Sequence, residues 1–261
     1  MDIKEKNKKI FDLAKRFLIE NLPEGISEND IKKYYKVDGY TWNDLRDVFI
    51  QFVSSAQNYQ SMPKVINYHG RESQVREILY GYDYDLVSIM DEDELYWKFR
   101  DTFDIKSRDS KQNSWKKWSN SIIDSAKFVS GFKDADDFRE FVERFSFNSD
   151  TRMALPLLIS TKIRGIGFAL ACDTLKELGY VNYPKPDVHM EDICVACGLS
   201  GKMPYEVFEA LVRMAEDNKV SPYEVDKTLW LICSGSFYND KIQGKPLKKK
   251  FIEECLELIK S

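Results

Sequence analysis

Two short stretches carry residue types suited to chemistry: Ile163-Arg164-Gly165-Ile166-Gly167 and, further along, Asp187-Val188-His189-Met190. Gly165 and Gly167 can take backbone angles closed to bulkier residues, and they let an external group approach the main chain. Ile166 is expected to point inward and fix the turn, with Ile163 packing from the other side. If a helix begins at Gly167, its first amides form an anion site that needs no side-chain charge. Lys162 and Arg164 are placed to add some. The same glycines would serve equally well in an unliganded turn between two helices.

Pro184-Lys185-Pro186 forces an extended approach to Asp187. An aspartate directly before a helix accepts amide hydrogen bonds as a cap. It is also a rigidly held carboxylate, able to stabilise a developing cation and to orient or deprotonate water. His189 lies in the first turn of that helix. With only two histidines in the chain and no zinc set, it reads as a packing or hydrogen-bonding group and not as a catalytic base.

The elements that must hold these residues are helices. Apolar residues recur at helical spacing in 7–19, 42–55, 71–79, 91–99, 115–128 and 134–145. They do so again in 153–160, 168–178, 188–197, 204–218, 222–233 and 247–259. Ser27-Glu28-Asn29-Asp30 resembles a helix start, and Pro63 opens a further short helix. The nearest approaches to strand character lie around Tyr82 and Tyr180, and no sheet is expected. No heptad repeat, internal repeat or low-complexity tract occurs, so the expected class is an all-α globule.

Composition sets the remaining bounds. At 43% hydrophobic and 31% charged residues, the 261-residue chain can bury one large core or two. It contains no apolar run of membrane-spanning length. Met1 to Lys6 lacks the apolar segment of a secretory signal, which makes a cytoplasmic location the expectation. The net charge of −4 neither supports nor excludes a polyanion partner, because a local patch decides that. Lys98 to Trp118 and Lys245 to Lys250 are the basic runs, and a solvated helix face explains either one equally well. Cys172, Cys194, Cys197, Cys233 and Cys255 are odd in number and scattered, against a disulfide framework. The Cys194-x-x-Cys197 pair lacks a second pair and reads as buried thiols.

The order of hairpin, helix, Pro-rich link and Asp-Val-His-Met resembles the helix-hairpin-helix DNA glycosylase superfamily. The resemblance is closest over Ile163 to Met190. It continues more weakly to Leu199 and to Leu229–Tyr238, which is similar to the last helix of the 8-oxoguanine-directed archaeal branch. It implies two helical lobes flanking a cleft: one from 1–50 with 200–261, the other from 51–199 with the hairpin motif at 153–178. It implies a monomer acting on double-stranded DNA that carries a damaged base, tilted toward an oxidised purine. The hairpin (Lys162, Arg164, Gly165, Ile166 and Gly167) would hold backbone phosphate, and the damaged nucleotide would be flipped out. Asp187 falls on the family's catalytic aspartate.

Strand-cleaving members carry a lysine two residues after the second hairpin glycine. Ala169 stands there, so the expectation is hydrolysis without a lyase step, unless Lys162 substitutes from across the turn. The cysteines are too few and too far apart for the iron–sulfur cluster of many members. No cofactor is expected beyond a monovalent cation that the hairpin would accommodate. Gln57, Asn58 and Tyr59 fall where glycosylases carry wedge or lesion-sensing residues, though an amide-rich surface turn has the same composition. His189, Phe237 and Tyr238 are candidates for the base pocket. Lys98, Arg100, Lys116 and Lys117 are candidates for phosphate contact. A non-catalytic hairpin DNA-binding protein and a helical interaction module are the alternatives.

Overall fold

The computed structural model describes residues 1–35, 39–40, 42–59 and 61–260. Those residues form an α-helical protein with one two-stranded ladder. It consists of two compact units, Met1–Gly39 with Gly179–Ser261, and Tyr40–Leu178.

The first unit opens with α1 (Ile3–Glu20) and α2 (Glu28–Tyr35). Asp2 caps α1 by accepting from the Glu5 amide at 2.7 Å. The apolar stripe Ile10, Phe11, Ala14, Phe17 and Leu18 is buried, as helical spacing dictates.

The second unit comprises α3 (Leu45–Ala56), α4 (Met62–Ile66), α5 (Tyr68–Ile78), α6 (Tyr84–Ser88) and α7 (Glu92–Thr102). It continues with α8 (Ser114–Val129), α9 (Ala135–Arg144), α10 (Ser149–Lys162) and α11 (Phe168–Glu177). Helix α8 is its centre, packed by α3, α6 and α7. Trp118 is fully buried there, and its indole N–H donates to the Val53 carbonyl at 3.0 Å. Helix α10 starts four residues earlier than its apolar pattern suggests. Asn148 and Thr151 form a reciprocal capping box that adds a polar first turn.

The chain then returns to the first unit with α12 (Val188–Ala196), α13 (Pro204–Asn218) and α14 (Pro222–Ser234). Strands β1 (Ser236–Phe237) and β2 (Ile242–Gln243) follow, and α15 (Lys248–Lys260) completes it. Helices α13, α14 and α15 pack on α1, with Phe17 edge-on to Phe251. Gly235 ends α14 in the left-handed region (φ +63°). A side chain there would also strike the Gly244 and Lys245 backbone, so the position admits only glycine.

Three expectations need correction. The ladder is antiparallel, pairs Ser236 with Gln243, and lies near neither Tyr82 nor Tyr180. Two residues per strand are too few to display alternation. Tyr80, Gly81 and Tyr82 are successive left-handed residues, hence a turn and not a strand. The units part at 39/40 and 178/179, where 50/51 and 199/200 had been expected. Helix α3 belongs with α8 and α11, whereas α12 packs on α13, α14 and α15.

Candidate nucleic-acid interface

The hairpin lies wholly within the second unit. Ile163 caps the C-terminus of α10, its amide donating to the Ile159 carbonyl at 3.0 Å, and Ile166 returns a hydrogen bond to the Ile163 carbonyl at 3.2 Å. Ile163 and Ile166 are both buried and pin the turn to the core. Between them Gly165 takes φ +81°, and Ser121 of α8 donates to the Arg164 carbonyl at 2.6 Å. A Cβ on Gly165 would collide with that serine oxygen. Gly165 is therefore required by conformation and by contact alike.

Gly167 differs. Its backbone is extended (φ −76°, ψ 175°), which any residue adopts, and a Cβ there would meet nothing within 4 Å. The residue is exposed and stands at the N-cap of α11. The fold gives no reason for a glycine here.

The charges are arranged differently from the sequence expectation. Arg164 is bound to Asp124 through Nε at 2.6 Å and Nη2 at 2.8 Å, and to Glu92 through both terminal nitrogens. The Arg164 amide also donates to Asp124 at 3.0 Å. Hydrogen bonds from Asp124, then from Glu92, hold the guanidinium pKa above its ordinary value. Arg164 thus braces the hairpin, with its fork already filled. Lys162 is exposed and makes no ion pair among the described residues. Lys98 pairs with Glu94, Lys116 with Asp93, and Arg100 donates to the Tyr96 hydroxyl and the Ser107 carbonyl. Of those four candidates, Lys117 alone lines the concavity of about 330 Å³ beside the hairpin, with Tyr59, Met62 and Gly167.

The wedge candidates separate. Gln57 is buried, and its Oε1 accepts from the Tyr68 amide at 3.2 Å, so it caps the start of α5. Asn58 and Tyr59 are exposed, and the Lys117 ammonium sits 6.0 Å above the Tyr59 ring.

In the first unit, Asp187 caps α12. Its Oδ1 accepts from His189 at 2.8 Å and from Met190 at 3.3 Å, while Oδ2 has no hydrogen bond among the described residues. The cap therefore occupies one carboxylate oxygen and leaves the other open. His189 is partly buried, and its Nδ1 has no partner among the described residues. Phe237 is 3% exposed and edge-on to Tyr34, which makes it core. Tyr238 is half-exposed and its hydroxyl accepts from Lys227 at 3.0 Å.

Sequence reasoning missed Ser121, Asp124 and Glu92, which lie 43, 40 and 72 residues from Arg164 and leave no local trace. It also missed Lys227. That side chain is 5% exposed, with its ammonium within 5.5 Å of the rings of Tyr223, Trp230 and Tyr238. Tyr223 and Trp230 sit one helical turn before and after it, a spacing that was readable.

All five cysteines are buried, and no disulfide joins them among the described residues. Among the described residues no group of three or more His, Cys, Asp or Glu is placed to hold a metal, and no helix is long and apolar enough to cross a membrane. No family model, curated protein or solved structure matches the chain.

Proposed function

We propose that the chain is a monofunctional DNA glycosylase of the helix-hairpin-helix type, hydrolysing the bond between a damaged base and its deoxyribose. The observation that carries this reading is Gly167, a glycine the fold does not need, at the start of α11 and beside a concavity lined by Lys117. A backbone phosphate suits that arrangement, since it needs close approach and amide donors more than side-chain charge.

The reaction is assigned to Asp187. As the base leaves, positive charge builds on the sugar, and an ionised carboxylate stabilises it. The open Oδ2 then takes a proton from water as its oxygen bonds to the sugar carbon, while the base departs with the bond's electron pair. Ala169 offers no amine for a Schiff base, so the product is an abasic site in an uncut strand. An oxidised purine is the favoured substrate class, on the resemblance of 229–238 alone.

Duplexes carrying single lesions, assayed for base release with and without hot alkali, test the proposal. Free base together with strand scission only after alkali supports it. A covalent adduct trapped by borohydride would refute the hydrolytic route and point to Lys162. The second reading, a non-catalytic DNA-binding protein, is favoured by the capping role of Asp187, which would keep an aspartate there without chemistry. It requires DNA binding with no base release from any lesion.

A further inference from the structure

The concavity beside the hairpin has three kinds of surface within one unit. Its apolar floor comes from Ala56 and Met62, and its exposed aromatic edge from Tyr59, 43% accessible. On α8 the Lys117 ammonium lies 6.0 Å above the Tyr59 ring, held by Gln112 Oε1 at 2.8 Å and by no carboxylate among the described residues. Gly167 forms part of the rim. Asp124 and Glu92 are both committed to Arg164. A cation and an aromatic face beside an apolar floor match a ligand that joins an anion to a flat ring.

We propose that this concavity holds one unpaired nucleotide of a DNA strand, with its phosphate on Lys117 and its base against Tyr59. The inference rests on the DNA-binding reading above and adds to it a second contact, distinct from Asp187 and from any base that Asp187 would release. Lys117 supplies a charge that Arg164 cannot, because the guanidinium is already neutralised. Tyr59 supplies a stacking face that accepts any base, so the site is indifferent to sequence. An unpaired nucleotide fits better than a paired one, because only a splayed base exposes the face that Tyr59 would cover.

The test is binding of the full-length protein to a duplex with a one-nucleotide bulge and to its fully paired counterpart, each across a salt series. Lys117→Ala is expected to weaken both complexes and to reduce the slope of log affinity against log salt by about one. Lys117→Arg should restore both quantities. Tyr59→Ala is expected to cost the bulged duplex at least about fivefold more than the paired one, and Tyr59→Phe should not. Millimolar deoxyadenosine monophosphate should leave the bulged complex intact. Wild-type binding combined with an unaltered slope and affinity in Lys117→Ala would overturn the inference while sparing the DNA reading. So would a monophosphate that displaces the duplex, since the site would then take free nucleotides. Failure of the wild type to bind any DNA would remove the DNA reading itself.

Discussion

Ser121 Oγ lies 2.6 Å from the carbonyl oxygen of Arg164, and it occupies the space a Gly165 side chain would need. This contact ties the hairpin to α8 on one side, while Asp124, one turn further along the same helix, receives the Arg164 guanidinium. The hairpin is therefore shaped by α8 before any ligand arrives. On the proposed reading the two glycines have different duties, one to the fold and one to the ligand.

Substitution separates those duties. Gly165→Ala should lower unfolding stability by at least about 1–2 kcal/mol, since alanine is disfavoured at left-handed angles and its methyl also meets Ser121. Gly167→Ala should change stability by less than about 1 kcal/mol yet weaken DNA binding. Urea denaturation and anisotropy on both variants check the contrast. Equal stability loss in the two would contradict it.

Arg164 and Lys162, both expected from the sequence to add charge to the hairpin, should behave differently. Arg164→Ala is expected to cost about 1 kcal/mol of stability, a modest figure because the pair is half-exposed and screened. It should leave the salt dependence of DNA binding unchanged. Lys162→Ala should do the reverse, with stability intact and a shallower salt slope.

Gln57 should behave as a structural cap. Gln57→Ala leaves the buried Tyr68 amide without its partner, a loss of about 1–3 kcal/mol. Asn58→Ala, at an exposed position, should leave the melting temperature within a degree or so of wild type. A stable Gln57→Ala protein with impaired lesion recognition would favour the wedge role instead.

Burial pushes the Cys194 thiol up to about 12, helped by the neighbouring Cys197. Burial likewise pushes Cys233 up to about 12, helped by Asp187 and Asp192. In the unfolded chain both would titrate near the ordinary value of 9. The folded state thus holds these protons more tightly, and the unfolded state loses them first. Stability from this source is complete below pH about 9 and falls as pH rises toward about 12. Denaturation midpoints across that range should decline, and Cys233→Ser should flatten part of the decline.

What the sequence revealed depended on distance along the chain. Most helices were legible because their apolar residues recur every turn, though α6 was not, and the hairpin was legible because Gly165 and Gly167 stand within one turn of each other. The polar first turn of α10 was missed because only Asn148 and Thr151 announce it. The Ser121, Asp124 and Glu92 brace was invisible, since each partner arrives from a distant helix. Gln57 misled for the opposite reason. Its neighbours Asn58 and Tyr59 are surface residues, and nothing local distinguishes an amide that turns inward to cap α5.

The assignment of chemistry to Asp187 is tested most directly by the single-turnover rate of base release for wild type and Asp187→Asn. Asparagine caps a helix about as well as aspartate, so folding and DNA affinity should persist while the rate falls by orders of magnitude. Asp187→Ala, which removes the cap, should lose about 1 kcal/mol of stability as well. Release from the asparagine variant at the wild-type rate would contradict the account.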